Sequence, residues 1–305
     1  MSIVREPTRD YIRVHDDSRR WAAIERRSDD IVISTPPKCG TTWTQGIVAS
    51  LLWPDGDAPA GIGELSPWID MQVTPLDDLV AMVAAQSHRR FLKSHSPGDC
   101  IPLAEDGRYI VVYRDGRDAL VSWSNHRAKM RPEVMEILNR AAAINVGLEP
   151  LANPWDGDMD VLFDEWSADC SPTTHLASWW PLRDEPFVLF VHYNDLLADL
   201  RGEMRRIADF LDLEVSDEQW PTVVGRCHID SMRSAADEEG HIDFAFDGGA
   251  SSFFNQGVNG RWEGILSDRQ LERYAEMVAQ LPDDAAAWLE WGSLGLGRRP
   301  DGATV

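Results

Sequence analysis

The chain has 305 residues, with 51 acidic against 29 basic side chains and a formal net charge of −22. That length suffices for one large core, and so acidic a balance disfavours nucleic-acid binding, which wants a basic footprint. Cys39, Cys100, Cys170 and Cys227 are too scattered for a zinc site, and residues 1–27 carry no leader or membrane-spanning run, so a cytoplasmic protein with no membrane partner is expected.

The first element is a β-branched run, Ile31-Val32-Ile33, which reads as a buried parallel strand. Pro36 and Pro37 stop it, and Lys38-Cys39-Gly40-Thr41-Thr42 leads into a helix expected over Thr42–Leu52, with Trp43 in its first turn. A strand, a tight loop carrying Lys and Gly, and a helix N-terminus together form a nest of backbone N–H groups suited to a phosphate-like anion. The nucleoside-triphosphatase loop places its lysine after the second glycine, whereas Lys38 precedes the only glycine here. A Gly/Ala/Pro-rich stretch, 55–68, follows and is expected to wall an acceptor pocket.

Arg90 to His95 reads as a short strand that ends with Lys93 and His95 on one side of an extended chain. Tyr109–Tyr113 is another β-rich run, with Arg114 at the carboxyl edge where open α/β sheets bind ligands. Asp118 is the expected N-cap of the next helix, and Ser122 falls one turn into it, facing the same crevice as Arg114. Residues 135–148 read as a helix. The Pro/Asp/Gly-rich piece 149–172 reads as a long loop and a second pocket wall, and the run from Glu185 to Leu196 as a strand entering a helix. Two amphipathic helices are expected at 200–213 and 267–281, with a disordered tail beyond Gly292.

Pro-Lys-small-Gly-Thr-Thr-Trp resembles the 5′-phosphosulfate loop of the cytosolic sulfotransferases, which use 3′-phosphoadenosine 5′-phosphosulfate (PAPS). The run from Tyr113 to Ser122 resembles their 3′-phosphate segment, Lys93-Ser94-His95 their catalytic segment, and His192-Tyr193-Asn194-Asp195-Leu196 their Tyr-Glu-Asp-Leu strand end, with Asn194 in place of glutamate. The segment from His175 to Arg183 is similar to their His…Trp-Trp…Arg flank. The resemblance ends with Phe253-Phe254-Asn255-Gln256-Gly257-Val258-Asn259-Gly260-Arg261-Trp262, where Asn255 and Gln256 replace an Arg-Lys pair that grips the 3′-phosphate.

The resemblance implies a P-loop-like three-layer α/β fold, a central parallel sheet flanked by helices, in a domain over 30–292 with residues 1–29 packed on it. It implies sulfuryl transfer from PAPS to a hydroxyl or amine of a small acceptor, with no metal. His95 is then the base, because an imidazole suits proton removal from an attacking hydroxyl. Lys38 and Lys93 stabilise charge on the transferring group, and Ser122 is counted with them among the catalytic residues. The nucleotide falls to Lys38, Cys39, Gly40, Thr41, Thr42, Trp43, Arg114, Ser122, Tyr193, Phe254, Asn255, Gln256 and Gly257, with Trp43 against the adenine. Lys38, Lys93, His95, Arg114, Arg117 and Arg261 are expected to gather positive charge in one crevice, with the acidic stretches elsewhere. A P-loop-type kinase and a catalytically silent nucleotide binder are the alternatives. Neither the acceptor's identity nor an oligomeric state follows from the residues.

Overall fold

β-Branched and aromatic runs build the strands. In the computed structural model, which describes residues 3–153, 155–169, 171–239, 242–254 and 257–297, these are β1 (Ile3–Arg5), β2 (Ile31–Ser34), β3 (Phe91–Ser94), β4 (Leu103–Ala104), β5 (Arg108–Tyr113) and β6 (Val188–His192). β1 and β4 pair antiparallel, while the other four form a parallel sheet in the order β3-β2-β5-β6. The chain runs from β2 out to β3, then crosses back over β2 to β5. The order therefore reverses between β2 and β5, and a doubly wound sheet opens its ligand crevice beyond the carboxyl ends at that point.

The helices are α1 (Thr41–Leu52), α2 (Ile62–Leu65), α3 (Leu76–Ala85), α4 (Gly116–Lys129), α5 (Pro132–Val146), α6 (Met159–Asp169) and α7 (Pro172–Trp179). They continue with α8 (Tyr193–Ala198), α9 (Leu200–Phe210), α10 (Trp220–Arg226), α11 (Ile229–Glu239), α12 (Gly249–Phe253), α13 (Asp268–Val278) and α14 (Asp283–Trp291). Alternation along the strands sends Ile31, Ile33, Ile110 and Val112 to one side, against Ile47, Val48 and Leu51 of α1 and Met204 and Ile207 of α9. Val32, Tyr109, Val111 and Tyr113 face the other side, where Trp21, Trp179, Trp180 and Trp288 close a second core. With both faces covered, the sheet is the middle of three layers, and its strands read as unbroken apolar runs. Full burial of each such side chain is worth about 1.5–3 kcal/mol. None of the helices among the described residues is long and apolar enough to cross a membrane.

The expected elements form with small boundary shifts, and α13 carries a capping box between Ser267 and Gln270. Three readings need correction. Asp118 is not the N-cap of α4. That is Asp115, whose carboxylate accepts from the Arg117 N–H. The stretch 149–172 is not one long loop. It contains α6, which folds because Leu162, Phe163 and Trp166 bury against Leu120, Val121 and Trp123 of α4. The chain beyond Gly292 begins as an ordered 3-10 turn, Gly292–Leu296, anchored by the Ser293 hydroxyl donating to Asp195 at 2.8 Å. Residues 298–305 of the expected tail lie outside the described residues.

Candidate active site

The loop between β2 and α1 turns inside three residues. Lys38 adopts φ 68° and Gly40 φ 110°, both in the left-handed region. Gly40 meets that need at no steric cost, and a Cβ there would also press on the Tyr193 ring at 3.3 Å. Lys38 has no such freedom, and a non-glycine residue held there stores roughly 1–3 kcal/mol of strain. Lys38, Gly40, Thr41, Thr42 and Trp43, from this loop and the start of α1, line a cavity of about 730 Å³. The Cys39 side chain is turned away from that cavity. It is fully buried, and its thiol is pushed up to about 12 by burial, so it packs the loop.

At the end of β3, Lys93 and His95 both line the same cavity. The His95 Nδ1 lies 2.7 Å from the Thr35 carbonyl. That oxygen only accepts, so in the neutral ring Nδ1 carries the proton and Nε2 the lone pair. Burial, then the nearby Lys93 charge, holds the imidazole well below its ordinary value of 6.5, and hence neutral. Asp70 fixes this segment. Its Oδ2 accepts from the Ser94 hydroxyl and the His95 N–H, each at 2.7 Å, while Oδ1 accepts from the Trp21 indole at 2.7 Å. The Trp68 ring stands edge-on to His95 at 4.7 Å and lies beneath the Lys93 ammonium at 3.7 Å.

Arg114 follows β5 and is held by two donated bonds, Nε to Asn259 Oδ1 at 2.8 Å and a terminal nitrogen to the Val258 carbonyl at 2.7 Å. Its guanidinium lies 4.5 Å above the Tyr193 ring. Asp118 accepts from the Gly260 and Arg261 N–H groups at 2.8 and 2.9 Å, which pins the loop carrying Gly257 to Trp262 against α4. Arg114, Ser122, Tyr193, Phe254, Gly257 and Arg261 all line the cavity. Arg117 does not, contrary to expectation. Asp115 binds it at 2.6 Å, Glu290 lies 3.6 Å away, and the guanidinium packs over Trp262. Asn255 and Gln256 lie outside the described residues.

The lining is chemically lopsided. Lys38, Lys93, Arg114 and Arg261 meet Asp16 as the one carboxylate among the described residues, and Asp16 itself pairs with Arg13 at 2.8 Å. Burial depresses Lys38 and Lys93 to about 8 each, and for Lys38 the neighbouring Lys93 and Arg114 charges add to the effect. Asp16 and Asp70 offset part of this at Lys93, whereas no carboxylate pairs with Lys38 among the described residues, and burying such an ammonium is unfavourable unless an anion completes the site. The ammoniums and Arg114 therefore suit an anionic ligand, and the geometry answers the net charge of −22 with a local cationic field.

Most of the rest of the wall is apolar. Val134, Ile137 and Leu138 of α5, Met71 and Val73, Ile229 and Met232 of α11, and Phe244, Phe246 and Phe253 complete it. The expected walls do not: among the described residues, only Trp68 of 55–68 contributes and none of 149–172. α6 spends its apolar side on α4 instead. Sequence reasoning also missed His15 and His126, which line the cavity, and Asp70. His126 had a signal, since it stands four residues after Ser122 on one helix face. His15 and Asp70 had none.

A family model described as a sulfotransferase domain matches residues 28–285. The chain is 32% identical to a glycolipid sulfotransferase of Mycobacterium bovis, over 92% of this chain and 93% of that one. It is 26% identical to sulfotransferase 1 family member D1 of Rattus norvegicus, over 85% and 86%. In fold it is similar to retinol dehydratase in complex with androsterone and inactive cofactor PAP, with a TM-score of 0.66 at 18% identity, covering 86% of this chain and 82% of that one. A mouse sulfotransferase complexed with PAP gives 0.63 at 19%, over 85% and 86%.

Proposed function

This chain belongs to the sulfotransferase family and is a PAPS-dependent sulfotransferase, and within that activity we propose that it sulfates a hydroxyl on an acceptor with a large apolar body, with His95 as the base. The observation that carries the reading is one cavity holding a lone pair on His95 Nε2, two buried ammoniums and a broad apolar wall. Bound PAPS supplies an activated sulfuryl group. The chain's part is to hold the acceptor oxygen against Nε2, which takes its proton. Lys38 and Lys93 present positive charge where negative charge grows. Thr41, Thr42 and the loop N–H groups cradle the 5′ end, Arg114 and Ser122 the 3′-phosphate, and Trp43 with Tyr193 meets the base.

The apolar wall reaches the surface. Val73, Ile137, Leu197, Phe244 and Val258 line the cavity and remain exposed, Phe244 by 66%. Such a rim supports an amphiphile whose tail continues out of the cavity, in keeping with relatives named glycolipid sulfotransferases. With labelled PAPS, kcat/KM across alcohols of growing apolar length should rise by about fourfold per added methylene, at about 0.8 kcal/mol per buried CH₂. Free sugars sulfated as well as their alkylated forms would sink the acceptor assignment.

Nucleotide binding should depend on pH with a definite sign. An ammonium depressed to about 8 is charged below that pH and neutral above it. Affinity for 3′-phosphoadenosine 5′-phosphate should hold steady below pH 8 and fall as pH rises through it, with proton uptake on binding near the midpoint. The empty protein should move the other way. Between about 8 and the ordinary lysine value of 10.5 the unfolded chain binds more protons, so these two groups favour the folded state increasingly as pH rises. Calorimetry in buffers of different ionisation enthalpy reads the uptake. A pH-independent affinity would show that neither lysine meets the nucleotide.

A further inference from the structure

His126 lies on α4 one turn beyond Ser122, lines the cavity and reaches the β2–α1 loop at Lys38. Its Nδ1 is 3.3 Å from the Lys38 Nζ. An ammonium only donates, so Nδ1 accepts and the ring proton resides on Nε2. The imidazole is clamped for this task, stacked on Trp123 at 5.1 Å and 15° and tilted against Phe246 at 4.7 Å. The Lys38 ammonium also lies 4.6 Å from the Phe253 ring. No carboxylate pairs with Lys38 among the described residues. We propose that His126 is a positioning residue for Lys38, its Nδ1 lone pair holding the ammonium protonated and fixed at the mouth of the anion loop.

The electrostatics fit this division of labour. Lys93 and Arg114 face Lys38 and work against its charge, and only the buried Cys39 thiol works for it. Lys38, His15, Lys93 and Arg127 face His126, and burial with those charges keeps its ring well below 6.5. A neutral ring beside a crowded ammonium has its lone pair free to accept. A charged one would repel.

The contact itself is read in the empty protein, and its use in the reaction rests on the nucleotide reading above. His126→Phe keeps a flat ring between Trp123 and Phe246 and deletes the acceptor, while His126→Gln returns an acceptor oxygen. Lysine titration followed by carbon NMR should place Lys38 below its value of about 8 in His126→Phe and move it back in His126→Gln. Affinity for 3′-phosphoadenosine 5′-phosphate should then fall roughly tenfold at pH 8, as for a lost charge-assisted hydrogen bond, and stay nearly unchanged at about pH 6.5, where the ammonium is protonated regardless. An unmoved Lys38 titration in His126→Phe overturns the proposal, and so does an equal loss of affinity at both pH values, which marks a structural role. A shifted titration with unaltered affinity throughout upholds the His126–Lys38 contact and counts instead against Lys38 as a nucleotide ligand.

Discussion

His95→Ala lowers turnover by about 10²–10⁴-fold, the usual cost of losing a general base, and leaves nucleotide affinity almost intact. The affinity should survive because the loop N–H groups, Lys38 and Arg114 do not depend on the imidazole. The alanine variant also strips the Thr35 carbonyl of its Nδ1–H donor, and an unpaired buried acceptor costs about 1–3 kcal/mol of stability. His95→Asn separates the two effects. Its amide can still donate to Thr35, so stability should recover, yet a carboxamide cannot take a proton and turnover should stay low. In the unmodified enzyme the acidic limb of the rate should lie well below 6.5, because the ring resists protonation. If either variant kept most of its rate with a hydroxyl acceptor, some other group would be taking the proton.

Lys38→Met should impair turnover and donor affinity together, because one ammonium serves both the bound anion and the charge that develops later. The expected loss is of the order of 10²-fold or more in turnover, comparable with removal of an oxyanion-hole donor. The same variant should unfold at a higher temperature in the absence of nucleotide. It removes a buried charge with no carboxylate partner among the described residues, a gain set against the unpaired His126 Nδ1 it leaves, and methionine fills similar space. Lys38→Gly would in addition relieve the φ of 68°. A more stable but inactive loop is the signature of strain and burial retained for function. Normal turnover with unchanged donor affinity would reduce the loop to a structural turn, and a less stable Lys38→Met would show that the ammonium contributes to folding.

Much of this site was legible because its chemistry is local. Lys38 to Thr42 sit on one strand-loop-helix turn, Lys93 and His95 on one strand end, and Arg114 and Ser122 on one strand-helix junction. Contiguous residues set the geometry of such turns, through backbone handedness, capping and the alternation of strand side chains. The unbroken apolar character of the strands likewise announced a sheet covered on both faces. The limits were local too. Asp118 had the chemistry of an N-cap, but Asp115 stands at the helix start and leaves Asp118 to pin residues 260 and 261.

What the chain determined by itself is therefore the set of loops that line the cavity and their order along a parallel sheet. Only the tertiary structure decided how those loops are supported and what surrounds the acceptor. Asp70 reaches Trp21 across 49 positions and the end of β3 across 24, and His126 meets Lys38 across 88. A buried polar group must find a partner, but nothing in its own neighbourhood says which distant one. The acceptor wall followed the same rule. Residues 149–172 looked free to line a pocket until α6 gave its apolar face to α4, and α5, α11 and the residues before α12 made the wall in their place. Burial of apolar area has no direction of its own, so the choice among competing faces was made by packing around a sheet that fixes where the cavity-lining loops stand.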